Sequence, residues 1–469
     1  MIRRAATLLA FSLALAGAGR ADAATYTLAQ LIAKVKAEYP GVIAAREALS
    51  SSEAQLSQAQ RLWMPQGGVD FWITGAPNVR CFNNVTGDFN GTKADREASG
   101  CLRTSAVNLQ NVPSGDIGDI APIHGVALSI SLNLLQPLYT FGKIEAANGA
   151  AHAGVKAAKG QVEAAEADVV FNAQRAYWGL KWSRAAVDVL GDGVSKLEDW
   201  IKRIDSAMNG KNPQKYTEGD LARLKIALYN AQLGLIDVRR AVVIAQSALR
   251  VLTADPEADI DDSELDNVED GEHPVSFYED QARLHRPEAK MLDAAATAAH
   301  YMHKLTLAQM LPDIGLATNF NYSYASSIDD APSAFMSHMN GLGASFALVM
   351  HAPLDIGLRL GRLAQARADD RAMEARRRQA LGGIAIEIDT AYANHQEADA
   401  REDETAHGEK VARGWYNAVD QDMQAGLYTE GRELTEAARA YFDFRLRHLQ
   451  AIMDSNVTLA WLERTTGVE

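Results

Sequence analysis

The chain has 469 residues, with 46 Lys and Arg against 60 Asp and Glu and a formal charge of −14 at pH 7. That balance, with no basic aromatic patch to offset it, argues against a nucleic-acid partner. The length admits two or three domains.

At the N-terminus, Arg3 and Arg4, the apolar stretch Leu8 to Ala18 and the small-x-small triplet Ala21-Asp22-Ala23 make residues 1–23 an export signal, cleaved near Ala23. The apolar stretch is shorter than the about 20 residues a membrane-spanning helix needs. No cysteine follows to carry a lipid anchor, so the mature chain is expected to begin near Ala24. No later segment reaches the roughly 18 consecutive apolar residues of a spanning helix. An exported chain of this kind is either a soluble periplasmic protein or a β-barrel, whose per-strand signal is weak.

An Ala- and Leu-rich helical stretch, 27–62, runs to Met64-Pro65, and a strand follows from Val69 to Thr74. Cys81 and Cys101 then sit 20 residues apart in a polar stretch and are expected to pair in an oxidising compartment. Val126, Leu128, Ile130, Leu132 and Leu134 alternate with Ala127, Ser129, Ser131 and Asn133, a strand with one apolar face. After Pro137 and Gly142, residues from Lys143 to about Ala207 contain no proline, enough for ~100 Å of helix. The chain turns around Asn209-Gly210 and Asn212-Pro213. It returns over 217–252 through Leu221, Leu224, Leu228, Ala231, Leu235, Val238, Val242, Ala245 and Leu249, the three-four spacing of a coiled-coil seam.

Thr253-Ala254-Asp255-Pro256 ends that helix, and an acidic linker, 257–274, follows. From Asp255 to Pro274 there are ten Asp and Glu and no Lys or Arg, which reads as a solvated loop rather than a cation site. A helix over 277–310 leads to strands at Leu316–Tyr324 and Ala344–Met350. A second junction at Pro353 and Gly357, a second long helix from Leu358 to about Ala425 and a last helix over 430–465 complete the chain.

The order repeats. Pro40 and Met64-Pro65 recur as Pro287 and Leu311-Pro312 at an offset of 247, and Ala176-Tyr177 recurs as Ala391-Tyr392 at 215. Pro137-Leu138 and Gly142 recur as Pro353-Leu354 and Gly357. Tyr216-Thr217-Glu218-Gly219 recurs letter for letter as Tyr428-Thr429-Glu430-Gly431. The expected organisation is therefore a first repeat over 24–256, the linker 257–274 and a second repeat over 275–469. Four strands cannot close a barrel, and an open edge cannot face lipid. Two chains would give a barrel filled by its own side chains, whereas three leave a passage.

Four segments carry a family likeness: Gln136-Pro137-Leu138-Tyr139-Thr140-Phe141-Gly142, Asp168 to Tyr177-Trp178, Gly219-Asp220-Leu221 through Leu249, and Pro353-Leu354-Asp355-Ile356-Gly357. Taken with the duplicated order, they make the chain resemble the outer membrane efflux protein family, the TolC-like channels. The resemblance implies a mixed α and β membrane fold with a duplicated strand-strand-long-helix plan. Each chain would give four strands to a trimeric twelve-stranded outer-membrane β-barrel, continued by an α-helical periplasmic coiled-coil tunnel. It implies a homotrimer in outer-membrane lipid and no enzyme. The expected role is a passive exit duct of a tripartite efflux or export system, with a periplasmic adaptor (membrane fusion) protein, a proton- or ATP-driven inner-membrane pump and no cofactor. A type I secretion polypeptide export duct and a non-channel periplasmic coiled-coil protein are the alternatives.

No catalytic constellation is visible. His300 and His303, at i and i+3 on a helix, lack a Cys or carboxylate at ligand spacing, so no metal site is expected. The candidate periplasmic gate and adaptor-docking residues lie at the two hairpin ends. They are Tyr216, Glu218 and Asp220 in the first, and Gly426, Leu427, Tyr428, Glu430 and Arg432 in the second. Helix capping and the macrodipole account for the Thr and Glu of the repeated motif. The tyrosine is expected to be exposed unless a neighbouring chain covers it. The resemblance implies a Gly-Leu near each tip; Gly426-Leu427 fits, and Gly210-Lys211-Asn212-Pro213 departs from it.

Overall fold

The structure is a computed structural model of the chain. It describes residues 25–77, 80–81, 85–86, 88, 90–98, 104–105, 123–209, 216–261, 263–268, 271, 273–329, 340–425 and 430–467. In chain order its elements are β1 (Thr25–Tyr26), α1 (Leu28–Glu38), α2 (Pro40–Gln60), β2 (Gln66–Pro77), β3 (Arg80–Cys81), α3 (Lys93–Ala98), β4 (Thr104–Ser105) and β5 (Ile123–Tyr139). There follow α4 (Lys143–Met208), α5 (Glu218–Thr253), β6 (Asp259–Ile260), α6 (Val275–His285), α7 (Pro287–Ala308), β7 (Asp313–Ala325), β8 (Gly341–His351), α8 (Ile356–Gln424) and α9 (Gly431–Thr466). The chain divides into two compact units, one of Ser52–Gly154 and Ala295–Glu374, the other of Met1–Ser51, Val155–Ala294 and Ala375–Glu469.

The first unit is built on one antiparallel sheet in the order β2-β5-β7-β8. Its strands run longer than the alternating segments that announce them. Val69–Thr74 lies within β2, and Ala344–Met350 lies within β8. Glycine and polar residues at the strand ends still pair through the backbone, although they leave no hydrophobic signature. The register puts Asp70, Ser131, Asn321 and Gly343 in one row, and Asn133, Asn319 and Ser345 in another, on the same face. Two amide hydrogen bonds knit that face, from Asn319 Nδ2 to Asn133 Oδ1 at 2.6 Å and from Asn133 Nδ2 to Asp70 Oδ2 at 3.3 Å. The opposite face carries Val69, Phe71, Ile73, Phe320, Tyr322, Tyr324, Leu342, Phe346, Leu348 and Met350, all exposed. The outer edges of β2 and β8 have no strand partner among the described residues.

Pro137 sits at a register shift against β7, and the turn into α4 is made by two left-handed residues, Phe141 at φ 51° and Gly142 at φ 86°. The second junction is built differently. Pro353 precedes α8, and Gly357 is already inside its first turn rather than ahead of it. Cys101 lies outside the described residues, and the expected Cys81–Cys101 pairing lies outside them with it.

The second unit is helical. The expected helices over 27–62 and 277–310 are each interrupted, after Tyr39 and after Arg286. Pro40 and Pro287 follow these residues, and a proline forces its predecessor into extended backbone, here ψ 126° and ψ 122°. The duplication shows in the packing. Leu31, Val35, Val169, Ala173 and Leu249 form one buried cluster; Tyr278, Ala282, Ile388, Ala391 and Leu462 form another, with Ile384 and Tyr392 against it.

The acidic linker is not simply solvated. Asp259–Ile260 pairs in parallel with Thr25–Tyr26, and Ala258 and Ile260 are buried. The Tyr177 hydroxyl donates to Asp261 at 2.7 Å, and Lys181 Nζ donates to the Ser263 carbonyl at 2.7 Å. Asn456 on α9 accepts from Val268 N–H and donates to the Asp266 carbonyl. Apolar Ala258 and Ile260, hidden among the acids, anchor what composition alone reads as a loop.

Candidate functional site

The ends of the two long hairpins come together in one apolar cluster within the helical unit. It contains Leu197, Trp200 and Ile204 of α4, Tyr216, Leu221 and Leu224 at the start of the first return, Tyr416, Val419 and Met423 of α8, and Leu434 of α9. Tyr216 is therefore not an exposed tip residue. It is buried within its own chain, with its hydroxyl 3.5 Å from Met423 Sδ. Hydrophobic spacing along α5 could not reveal this, because Tyr216 precedes the helix and its partner lies 207 residues away. Tyr428, Gly426 and Leu427 lie outside the described residues.

Capping explains the first motif. Thr217 and Asp220 form a reciprocal box: the Thr217 Oγ1 accepts from Asp220 N–H at 3.1 Å and Asp220 Oδ2 accepts from Thr217 N–H at 3.0 Å. Glu218 adds an exposed carboxylate to the same first turn, where the macrodipole favours it. The second motif does not repeat the box, since Glu430 caps α9 without a side-chain bond. Arg432 pairs along its own helix with Glu436 at 2.8 Å. Asp420 gathers Trp200 Nε1 at 3.0 Å, Lys196 Nζ at 3.3 Å and Gln424 at 2.7 Å, tying α8 to α4 just above the tip.

A groove of about 860 Å³ lies beside this cluster, lined among others by Lys181, Asp188, Asp192, Glu264, Tyr416 and Tyr441. Burial, followed by the Asp420 charge, pushes the Tyr416 phenol up to about 12. Further from the tip, Glu409 of α8 is buried and receives His448 Nδ1 at 2.6 Å, Arg445 and Arg413. His448 Nε2 faces Glu402 at 3.1 Å. Among the described residues no group of three or more His, Cys, Asp or Glu is placed to hold a metal ion. His300 and His303 do meet a carboxylate that the sequence did not point to, Asp370 of α8, at 3.5 and 3.1 Å. No helix among the described residues is long and apolar enough to cross a membrane.

These features can be set beside known proteins. The profile of the outer membrane efflux protein family matches residues 279–468. No curated protein matches the sequence significantly. The fold is similar to the outer membrane protein VceC of Vibrio cholerae, at TM-score 0.71 and 16% identity over 94% of this chain and 96% of that one. It is similar to the Neisseria gonorrhoeae MtrE outer membrane channel in its open state, at TM-score 0.71 and 16% identity over 94% and 89%. CusC, a transmembrane channel, matches at TM-score 0.73 and 15% identity over 100% of this chain and 99% of its own. The profile matches residues 279–468, so the sequence likeness to the outer membrane efflux protein family is carried by that segment, and over nearly the whole chain the fold is similar to that of these outer membrane channels.

Proposed function

We propose that this chain is the outer-membrane exit duct of a tripartite efflux system. It passively conducts substrates that a periplasmic adaptor and an inner-membrane pump deliver, and it uses no catalytic group of its own. The observation that carries the reading is the four-stranded sheet, exposed and apolar on one face and polar on the other, with two edges that no strand pairs among the described residues. An unpaired edge in lipid leaves backbone groups without hydrogen bonds, so β8 must find the β2 of another copy. Three copies give twelve strands and a polar lumen.

The helical unit supports the same assembly. Ile226, Tyr229, Leu233, Ile236 and Val243 are each more than 60% exposed and repeat at three-four spacing along α5, opposite the seam through Leu221, Leu224, Leu235 and Leu249. An outer seam of that kind suits a neighbouring helix of another copy. In this reading residues 1–23 are removed on export, 24–256 and 275–469 are the two repeats, and 257–274 is the belt between them. The hairpin ends at Tyr216, Asp220, Glu430 and Arg432 close the tunnel at rest and meet the adaptor. Crosslinking of the detergent-solubilised outer-membrane fraction tests the proposal. A three-chain species is expected, and a stable monomer, or recovery in the soluble periplasmic fraction, overturns it.

A further inference from the structure

The end of the sheet remote from Pro137 and Pro353 is covered on its polar face. Ala76, Ala127 and Ala325 belong to that face by register with Thr74, Ser129 and Ser323. All three are nonetheless buried, and Ile328 is buried against them. Three small side chains in adjacent strands leave the space that one isoleucine fills.

Ile328 reaches that space because residues 326–329 turn back across the strand ends instead of continuing away from them. The Ser326 Oγ accepts from Val126 N–H at 3.0 Å, and the Ser327 Oγ donates to the Ala76 carbonyl at 3.3 Å. Ser327 lies so close over Gly125 that a side chain there would collide with it. Asn340 closes the bend, accepting from Ala325 N–H at 2.5 Å and donating to the Ile328 carbonyl at 3.0 Å.

The next residue, Asp329, is held from outside. Arg96 on α3 grips it with both arms, Nε to Oδ2 at 2.7 Å and Nη2 to Oδ1 at 3.1 Å, and both side chains are buried. The third nitrogen, Nη1, donates to the Gly91 carbonyl at 2.5 Å, and Lys93 Nζ reaches the Ala325 carbonyl at 3.5 Å. A two-pronged guanidinium–carboxylate pair fixes orientation as well as distance. Desolvating two charges at the rim of a sheet is costly, so such a pair is better understood as setting a position than as adding stability.

We infer that Arg96 and Asp329 are positioning residues that hold the 326–329 strap over the polar face, narrowing the outer mouth of the channel and setting the largest solute that leaves. The inference rests on the duct reading, in which the polar face lines the lumen and symmetry brings three straps to one rim.

The test is single-channel conductance in planar bilayers, with liposome swelling in size-graded polyethylene glycols, on the full-length wild type, Arg96→Gln, Asp329→Asn and Ile328→Ala. Ile328→Ala leaves the ion pair in place and removes the group that occupies the face. All three variants are expected to conduct more than wild type, on the order of twofold, and to admit larger glycols, because a packed constriction has left the pore. Trimers verified by crosslinking that keep the parent conductance and size limit in all three variants overturn the strap. Absence of any conductance, in wild type and variants alike, overturns the duct reading and the inference with it.

Discussion

Gly431, the first residue of α9, packs its bare backbone against Asp220, and a methyl group added there would overlap the Asp220 side chain. The same carboxylate caps α5, so one aspartate fixes the start of the first return and leaves room only for glycine at the start of the second. Gly431→Ala is expected to displace the cap and lower stability by about 1–2 kcal/mol. Asp220→Gly removes the cap and, because the Asp220 Cβ is the atom nearest to the added methyl, the overlap as well. In thermal unfolding of the solubilised protein the double variant should therefore lose less than the sum of the singles. Strict additivity would show that the two positions do not communicate.

Tyr216 is an anchor of the apolar cluster, so its ring should matter more than its hydroxyl. Tyr216→Ala is expected to cost about 3–5 kcal/mol, as large aromatic truncations do. Tyr216→Phe keeps the ring and gives up the hydroxyl, which lies 3.5 Å from the Met423 sulfur, so its effect should stay well below that of the alanine variant. If loosening the cluster also opens the tunnel, planar bilayers will show longer openings for the alanine variant alone. Equal melting temperatures for the two variants would contradict the packing.

Neighbouring residues of β8 face opposite ways, which makes Phe346 and Ser345 a matched pair for testing orientation. Phe346→Arg places a charge on the apolar face and should cost about 2–4 kcal/mol if the position is near mid-bilayer. Ser345→Arg lies on the polar face and should assemble normally while shifting ion selectivity. Heat-modified gel mobility and reversal potentials read these two outcomes. Loss of assembly in Ser345→Arg would mean that the faces are reversed.

Burial pushes the Glu409 carboxyl up, but the His448 hydrogen bond and the Arg445 and Arg413 charges outweigh it and hold the group below the usual carboxylate range. A lowered folded value means that the ionised form is bound more tightly in the folded state. That stabilisation is present above the unfolded value of about 4.3 and is lost as pH falls through the folded one. Hydrogen exchange along α8 and α9 should therefore accelerate in the acid range. Glu409→Gln should flatten that dependence, and an unchanged acid limb in the variant would exclude Glu409 as its source.

Much of this architecture is legible in the residues. Val126 to Leu134 alternate so strictly that the strand and its apolar side can be read off directly. The leucine spacing from Leu221 to Leu249 likewise marks the inner face of α5, because backbone geometry alone converts residue spacing into a face. The breaks after Tyr39 and Arg286 were equally available, since Pro40 and Pro287 forbid the helical conformation to the residues before them. An apolar pattern that continues on both sides of each proline masks the break.

The sequence by itself determined the two long helices, the duplicated order and the two-faced sheet, because each depends on short-range geometry or on a repeated pattern. Only the tertiary structure decided which distant residues meet. It buried Tyr216 against Met423, drew Ala258 and Ile260 out of an acidic stretch into the body, brought Asp370 to His300 and His303, and locked Arg96 onto Asp329. Each of those pairings joins residues separated by tens to hundreds of positions, or hides an apolar residue in a polar context. They arise because a long helix places its side chains against whatever the folded chain returns to it, and no local period encodes that partner.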